Sequence, residues 1–513
     1  MRRNILRDTL LLTAIQMLLD GLSLLLNVVL TARLGTEAIG LLTLTGSFFR
    51  LAAMIAGGNV FLCVSRFVSE ELGKRERDPG GMLRQCLGVS LVLSAVVSGM
   101  LLAGAPLCSR WALQTDGLDG PVRRIALFLP MVTAAGCLKG WYNACCRAGT
   151  CAAADGIEFA VHAAWMLVTA SPGDPESVCM TAVHATAAGL GAQLLFLLCG
   201  LPRCRQPRTG APSLTLGAYL RLAVPVMAGS ALTAGLSAAN DALVPMTLRQ
   251  AGSSAAEAFS QFGIFEAIIL PTLFFPSTIL CSLAGILVTE TARARGAGEE
   301  GRIRALTEKT LRQTIVFSVF VTMLLLLFGD ELGILLGGGE TAGRMIVWLA
   351  PVVPFIYLEI VLESIIKGLG AQGFSSVNYL CEYVIRITAV LICIPLMGFW
   401  GIVLSYYASN VFGNTARIVL VLRRTGIRLD VVRMLGIPLF SAVLGAVCAS
   451  AAFTLLRTSP GATAAAMVLY AALCGSIYLA AQHWLFRLYQ GRDVSEMTPS
   501  APPASRCDRA ALP

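Results

Sequence analysis

The chain has 513 residues, of which 56% are hydrophobic and only 13% are charged. A soluble globule of this size needs more charged surface, so the composition excludes a soluble protein and indicates a multi-pass membrane protein. The formal net charge of +9 does not indicate nucleic-acid binding, because the basic residues fall mostly between apolar segments, where membrane topology explains them.

Apolar runs of membrane-spanning length recur along the whole chain, separated by Gly, Pro or charged residues. They predict an all-α integral membrane protein with about 14 transmembrane helices. The fifth run is the weakest, because Asp155, Glu158 and His162 interrupt it. We interpret the first run as a retained helix, since it is too long for a signal peptide. The predicted spans are 9–32, 37–65, 83–105, 122–145, 153–170, 177–200, 216–241, 258–288, 312–329, 343–366, 374–397, 400–422, 435–456 and 462–486.

Basic residues are distributed unevenly between the loops. About three quarters of the Lys and Arg residues precede the first span, lie in alternate loops or follow the last span. The loop after the second span alone carries Lys74, Arg75 and Arg77. Because cytoplasmic loops hold the excess of basic residues, we predict a plasma-membrane protein with both termini in the cytoplasm.

The chain also resembles itself when it is shifted by about 220 residues. This alignment places Glu70 over Glu290 and Lys139-Gly140 over Lys367-Gly368. Each copy holds six spans, an even number, so the copies share one orientation and enclose a central cleft. We therefore predict an N-lobe (1–205, spans 1–6), a C-lobe (206–430, spans 7–12), two added helices (431–490, spans 13 and 14) and a disordered cytoplasmic tail (491–513).

Charged and amide side chains inside the spans are the candidates for a binding site, because such groups are costly in contact with lipid. Arg50 lies near the middle of the second span, between Gly46 and Gly57, and its guanidinium suits a phosphate or carboxylate. The alternative is an internal ion pair between Arg50 and Asp20. The candidate cavity residues are Asp20, Asn27, Arg50, Asn59, Glu266, Glu359 and Glu363.

A coupling-ion site is a second hypothesis. Asp241, Asn378 and Glu382 offer the oxygen ligands that Na⁺ prefers, or a site for a proton. Glu382 equally suits an ion pair with Arg386, four residues further along the helix.

Two further patterns have structural explanations that compete with function. Glu359, Glu363 and Lys367 recur every four residues, so they form either an ion pair within one helix or part of the cavity wall. His162 is the one histidine among the charges of the fifth span, and we interpret it as packed rather than titrating. Helix bends are expected at Gly57-Gly58, Pro225, Pro271, Pro276, Pro351 and Pro354.

No motif for enzymatic chemistry occurs in the sequence. There is no P-loop, HExxH or GxSxG pattern, and the 16 cysteines form no CxxC pair. We therefore expect no enzymatic activity, no resident cofactor, and no nucleotide or nucleic-acid partner. The expected partners are the lipid bilayer and a transported substrate, and the expected state is a monomer.

The span count, the repeat and two segments together resemble a known superfamily. The segments are SRFVSEELGKRERD at the end of the second span and IIKGLGAQGFSSVNYLCEYVIR around the eleventh. They resemble the multidrug/oligosaccharidyl-lipid/polysaccharide (MOP) exporters, and most of all the branch of stage V sporulation protein B, polysaccharide biosynthesis proteins and lipid II flippases.

The resemblance implies alternating access of two lobes around a cationic cavity that accepts the diphosphate of an undecaprenyl-linked sugar. Arg50 matches the second-span arginine of lipid II flippases, and Asp241, Asn378 and Glu382 resemble their sodium site. The chain departs from that pattern at Glu266, where an arginine is expected, and at the uncharged Asn27.

Three functional hypotheses follow. The favoured one is a transporter that flips a lipid-linked oligosaccharide, either lipid II or a polysaccharide repeat unit, with possible Na⁺ or H⁺ coupling. The second is a cation-coupled exporter of organic cations that uses Asp241, Glu266 and Glu359. The third is a scaffold of the envelope machinery that transports nothing.

Overall fold

The computed structural model describes residues 2–57, 59–72, 78–109, 118–201, 216–427, 430–456 and 463–496. These residues form eighteen α-helices and no β-strand. The first half holds α1 (Arg2–Leu34), α2 (Thr36–Gly57), α3 (Val60–Leu72), α4 (Pro79–Cys108), α5 (Asp119–Ala144), α6 (Ala148–Thr169) and α7 (Pro175–Gly200). The second half holds α8 (Leu216–Gln250), α9 (Ala255–Ile264), α10 (Leu270–Phe274), α11 (Thr278–Gly296), α12 (Glu300–Leu335), α13 (Gly339–Leu349), α14 (Val353–Gly368), α15 (Gln372–Met397) and α16 (Gly401–Thr425). The last two helices are α17 (Ile437–Leu456) and α18 (Thr463–Glu496).

The prediction of an all-α, multi-pass membrane protein is confirmed, and each predicted span falls on one of these helices or on a group of them. Within the described residues, eleven helical stretches are long and apolar enough to cross a membrane, and one, Gln372–Thr425, contains both α15 and α16. Large apolar side chains such as Val168 (83% exposed) and Leu396 (79% exposed) lie on the outer surface. In a bilayer these faces contact lipid.

Three spans, the second, the eighth and the tenth, are interrupted helices, and the tenth passes through a 3-10 turn at Ala350–Val352 that contains Pro351. The second span breaks between α2 and α3 at Asn59, whose φ of 55° is left-handed. The eighth span passes through a π-helical turn at Phe265–Ile269 and a 3-10 turn at Phe275–Ser277, next to Pro271 and Pro276. Proline lacks a backbone N–H and clashes with the preceding turn, so it disrupts the regular ladder at these points. The fifth span, in contrast, is the uninterrupted helix α6.

Corresponding helices pack in the same pairs in the two halves. α3 packs on α5 as α11 packs on α14, and α6 packs on α7 as α15 packs on α16. The aligned glycines Gly140 and Gly368 make equivalent contacts. A Cβ on Gly140 would lie 2.8 Å from the Phe61 carbonyl oxygen, and one on Gly368 would lie 2.9 Å from that of Val288. The lobe boundaries themselves stay a prediction.

The two halves meet where α2 packs against α9. The hydroxyl oxygens of Thr36 and Ser260 lie 2.6 Å apart there, and a Cβ on Gly40 would lie 2.7 Å from the carbonyl carbon of Phe259. Further along, the same two spans diverge, because α3 packs on α5 and α11 packs on α14. The halves are therefore joined at the end that the charge distribution predicts to be extracytoplasmic.

The last two helices lie beside this arrangement. α17 packs on α18, and both pack on α12. α18 continues to Glu496, so the first residues of the predicted tail are helical, and residues 497–513 lie outside the described residues.

Candidate functional site

Two neighbouring cavities follow the line between the halves. The cavity of the first half has a volume of about 670 Å³ and is bounded by α1, α2, α5, α6 and α7. The cavity of the second half, of about 550 Å³, is bounded chiefly by α8, α14, α15 and α16. Arg50 and Glu266 line both cavities. These two side chains therefore stand where the cavities adjoin.

Arg50 projects into this junction with 64% of its side chain exposed. Its Nη2 lies 3.9 Å from Oδ2 of Asp241, which is buried on α8 and accepts hydrogen bonds from Ser47 and Asn240. Arg50 is thus paired across the halves with Asp241, and the alternative pair with Asp20 is not formed. Because Arg50 is largely exposed and the contact is long, and because Ser47 and Asn240 also donate to Asp241, Arg50 can exchange its partner.

The other candidates in the first two spans have different positions. Asn27 lines the first cavity and donates to the Ala267 carbonyl at 3.1 Å. Asp20 lies between α1 and α11, where it accepts hydrogen bonds from Gln16 and Thr278, both at 2.9 Å. Asn59 lies at the break between α2 and α3 and does not line either of the two cavities.

A buried cluster of charges lies behind the wall of the second cavity. Arg417 is 1% exposed, and its Nη2 lies 3.0 Å from both Glu359 Oε1 and Glu382 Oε2. Its Nε lies 3.5 Å from Glu363 Oε2. Of these contacts only the one to Glu359 has hydrogen-bond geometry, so the rest of the attraction is coulombic. Gly413 makes room for the cluster, since a Cβ there would lie 2.9 Å from the Glu382 carboxyl carbon.

The predicted pairs within helices are present around this cluster. Lys367 lies 3.3 Å from Glu363 on α14, and Arg386 lies 3.6 Å from Glu382 on α15. Both glutamates also line the second cavity, as does Glu359. Ion pairing and cavity lining, which the sequence presented as alternatives, therefore occur together.

The three residues of the predicted ion site each have a different partner. Asp241 and Glu382 line the second cavity, but Glu382 pairs with Arg386 and Arg417. Asn378 instead donates to the Gly413 carbonyl at 3.2 Å and fastens α15 to α16. Among the described residues, no group of three His, Cys, Asp or Glu side chains is arranged to hold a metal ion. Coupling to Na⁺ or H⁺ stays a prediction.

Arg386, a charged residue within the eleventh span that the sequence offered as a partner of Glu382, lines the second cavity. Its guanidinium carbon lies 4.6 Å from the ring centre of Tyr406 and 5.4 Å from that of Tyr383, and its Nε donates to Ser409 at 3.0 Å. Stacking on two aromatic rings holds the planar guanidinium in place. Arg386 is therefore a second cation available to the cavity.

Sequence reasoning missed a polar cluster in the first half. The Gln193 amide, 1% exposed, donates to Asp155 Oδ1 at 2.9 Å and to Glu158 Oε2 at 2.6 Å. Lys139 donates to the same Asp155 oxygen at 2.6 Å, and His162 lines the cavity beside Glu158. The signal was present in the spacing of Asp155, Glu158 and His162, which places all three on one face of the weakest predicted span.

Carboxylates outnumber cations on the walls of the two cavities. The acidic lining residues are Asp155, Glu158, Asp241, Glu266, Glu359, Glu363 and Glu382, and the basic ones are Arg50, Lys367 and Arg386. Lys139 and Arg417 neutralise part of this charge from behind the walls. The cavity walls are therefore acidic overall, and the three basic side chains are isolated positive charges within them.

The chain was compared with known proteins, and no family model matches it. Its structure is similar to one described as lipid II flippase MurJ in an inward closed conformation, with a TM-score of 0.71 and 10% identity, over 94% of this chain and all of the other. It is also similar to an inward-facing MATE multidrug transporter of the MOP superfamily, with a TM-score of 0.63 and 13% identity, over 79% of this chain and 94% of the other.

The chain shares its fold with these two transport proteins. In sequence it is similar to stage V sporulation protein B of Bacillus subtilis (strain 168), with 22% identity over 425 residues, which cover 80% of this chain and 82% of that protein. The resemblance that the sequence segments indicated is confirmed at this level. The similar structures are described as transporters or flippases.

Proposed function

We propose that the protein flips a lipid-linked, diphosphate-bearing oligosaccharide across the plasma membrane by alternating access of its two halves. The observation that carries the proposal is the position of Arg50, exposed at the junction of the two cavities and only loosely paired with Asp241. The similarity to proteins described as a lipid II flippase and as stage V sporulation protein B supports it.

The exposed Arg50 and the buried Arg417 differ in how strongly they are held. Arg417 is fully enclosed by glutamates, so its release would leave buried charges unpaired at a cost of several kcal/mol. Arg50 has one long contact, and Asp241 keeps the hydrogen bonds from Ser47 and Asn240 when Arg50 leaves. A diphosphate offers it bidentate, charge-assisted hydrogen bonds in return. Arg50 is therefore the cation that suits transient binding of an anionic headgroup.

Carboxylates on the cavity walls explain how such a headgroup could also be released. A cavity lined by arginines alone would hold a diphosphate tightly, whereas Asp241 competes with it for Arg50. Arg386 is balanced in the same way by Glu382 at 3.6 Å. Each cation thus keeps an internal partner to which it returns when the anion leaves, and transport needs weak, reversible binding of this kind.

The contact between α2 and α9 closes one end of the space between the halves in one state of the transport cycle. α2 and α9 are joined at the predicted extracytoplasmic end, and the spans diverge towards the side of the arginine-rich loops. The cavities would in this state receive cargo from the cytoplasm. The predicted cytoplasmic location of both termini belongs to the same proposal.

Complementation of a flippase-depleted bacterial strain tests the function. Arg50→Gln should fail to support growth although the protein reaches the membrane. Arg344→Gln is the matched control, because Arg344 is exposed to a similar extent, 65%, and also pairs with one carboxylate, Glu340. Full complementation by Arg50→Gln would contradict the proposal.

A second candidate function, export of organic cations, is favoured by the excess of carboxylates on the cavity walls. It predicts that cells expressing the protein accumulate less of a cationic dye, and that Glu266→Gln restores accumulation. Lipid flipping predicts no change in dye accumulation. The two functions are therefore separated by one efflux measurement.

A further inference from the structure

An apolar groove of about 650 Å³ lies between α12 and α18, away from both cavities. Its walls include Val316, Phe317, Phe320 and Leu479. Residues that line this groove do not line either cavity, so the groove is separate from the path proposed for the cargo. One of its walls is α18, a helix that lies outside the internal repeat.

Two arginines lie at one end of the groove, Arg312 as a lining residue and Arg433 against the lining residue Phe486. The guanidinium carbon of Arg312 lies 4.8 Å from the ring centre of Phe486, and that of Arg433 lies 4.7 Å from the same centre. The two groups are therefore separated by no more than the sum of these distances. Two like charges at this separation repel each other, and an anion close to both would offset the repulsion.

No ion pair formed between the side chains that the structure describes involves Arg312 or Arg433, and the side chains beyond Tyr489 on α18 lie outside this description. Asp430, three residues before Arg433, uses Oδ1 to accept the backbone N–H of Arg433 at 3.1 Å. Arg433 Nε is buried and lacks a hydrogen-bond acceptor among the described residues. Gln482 Oε1, in the groove itself, is likewise buried without a donor. A ligand that satisfied both groups would present a hydrogen-bond acceptor to Arg433 Nε and a donor to Gln482 Oε1.

We propose that this groove binds one anionic glycerophospholipid of the membrane, with its phosphate at Arg312, close to Arg433, and an acyl chain along the apolar wall. The arginines lie on the side of the basic loops, where the predicted cytoplasmic leaflet presents anionic headgroups. A headgroup hydroxyl, such as that of phosphatidylglycerol, supplies the donor for Gln482. Bound in this position, the lipid joins α18 to α12 and to the turn before α17.

Native mass spectrometry of the purified full-length protein, released from phosphatidylcholine nanodiscs with increasing phosphatidylglycerol, tests the site. The wild type should retain one phosphatidylglycerol more firmly than the rest. The variant Arg312→Gln/Arg433→Gln should bind it with roughly 30-fold lower affinity, since each arginine near the surface contributes about fivefold. The matched control is Arg302→Gln/Arg423→Gln, which removes the same charge from exposed positions on the same side.

If Arg312→Gln/Arg433→Gln does not fold, a second variant tests the same lipid site. Phe486→Leu preserves an apolar wall but removes the ring on which both guanidinium groups stack, and it should also lower retention. Equal retention by wild type and folded variants, or an equal loss in the control, would overturn the proposal. Displacement of phosphatidylglycerol from the wild type by a polyprenyl phosphate would overturn the choice of a glycerophospholipid.

Discussion

Gly263 and Gly40 lie backbone against backbone where the eighth span meets the second, so that a Cβ atom on Gly263 would lie 2.7 Å from the Cα of Gly40. Small residues at a helix crossing let backbones approach closely in the membrane. Neither glycine has room for a side chain in this state. The contact therefore defines which end of the molecule is closed.

Gly263→Val should prevent this closure. The added side chain would have to displace the α2 backbone, so the halves should separate at this end. Cysteines introduced at Thr36 and Ser260, in a background without native cysteines, should crosslink readily because the native hydroxyl oxygens lie 2.6 Å apart. Adding Gly263→Val should reduce the crosslinked fraction severalfold, and Gly301→Val, at a position with open space around it, is the control.

The same crosslink should stop transport, because alternating access requires this end to open. Reduction of the disulfide should restore activity in the same sample. Unimpaired transport by fully crosslinked protein would show that the α2–α9 contact is not a gate.

Arg417→Met should destabilise the second half. The substitution keeps much of the side-chain volume but leaves Glu359 and Glu382 without their buried partner, which costs about 3–5 kcal/mol. The thermal midpoint in detergent, followed with a thiol-reactive dye, should fall by many degrees. Arg344→Met, an exposed control, should leave it nearly unchanged. Adding Glu382→Gln to Arg417→Met should recover part of the loss, and no recovery would contradict the pairing.

Asn59 should tolerate glycine but not valine. Its φ of 55° is costly for a β-branched residue by about 1–2 kcal/mol, whereas glycine adopts it freely. Thermal midpoints should therefore rank Asn59→Gly near or above the wild type and Asn59→Val below it. The reverse order would place the importance of Asn59 in its amide group rather than in its backbone conformation.

The sequence predicted the fold well, because hydropathy, glycine and proline report directly on membrane-spanning helices. Each of the fourteen spans falls on helix, and the aligned pairs ending in Gly140 and Gly368 make equivalent contacts. The prolines Pro271 and Pro276 indicated the irregular eighth span, although not that it would contain a π-helical turn.

The partners of the charged residues were less predictable. Pairs four residues apart, such as Glu363 with Lys367, follow from helical spacing alone. The pairs of Arg50 with Asp241 and of Arg417 with Glu359 join different helices, and they depend on crossings that one sequence does not specify. For the same reason the Gln193 cluster was missed, since its members come from three spans.

Flipping measured in proteoliposomes tests the central claim most directly. Wild type and Arg50→Gln would be reconstituted at equal density with a fluorescent undecaprenyl-diphosphate oligosaccharide, and exposure of the headgroup to a quencher would be followed with time. We expect flipping by the wild type and a rate at least about tenfold lower for Arg50→Gln, because a charge-assisted contact to the diphosphate is lost. Equal rates for the two proteins, or no flipping above that of empty liposomes, would contradict the account.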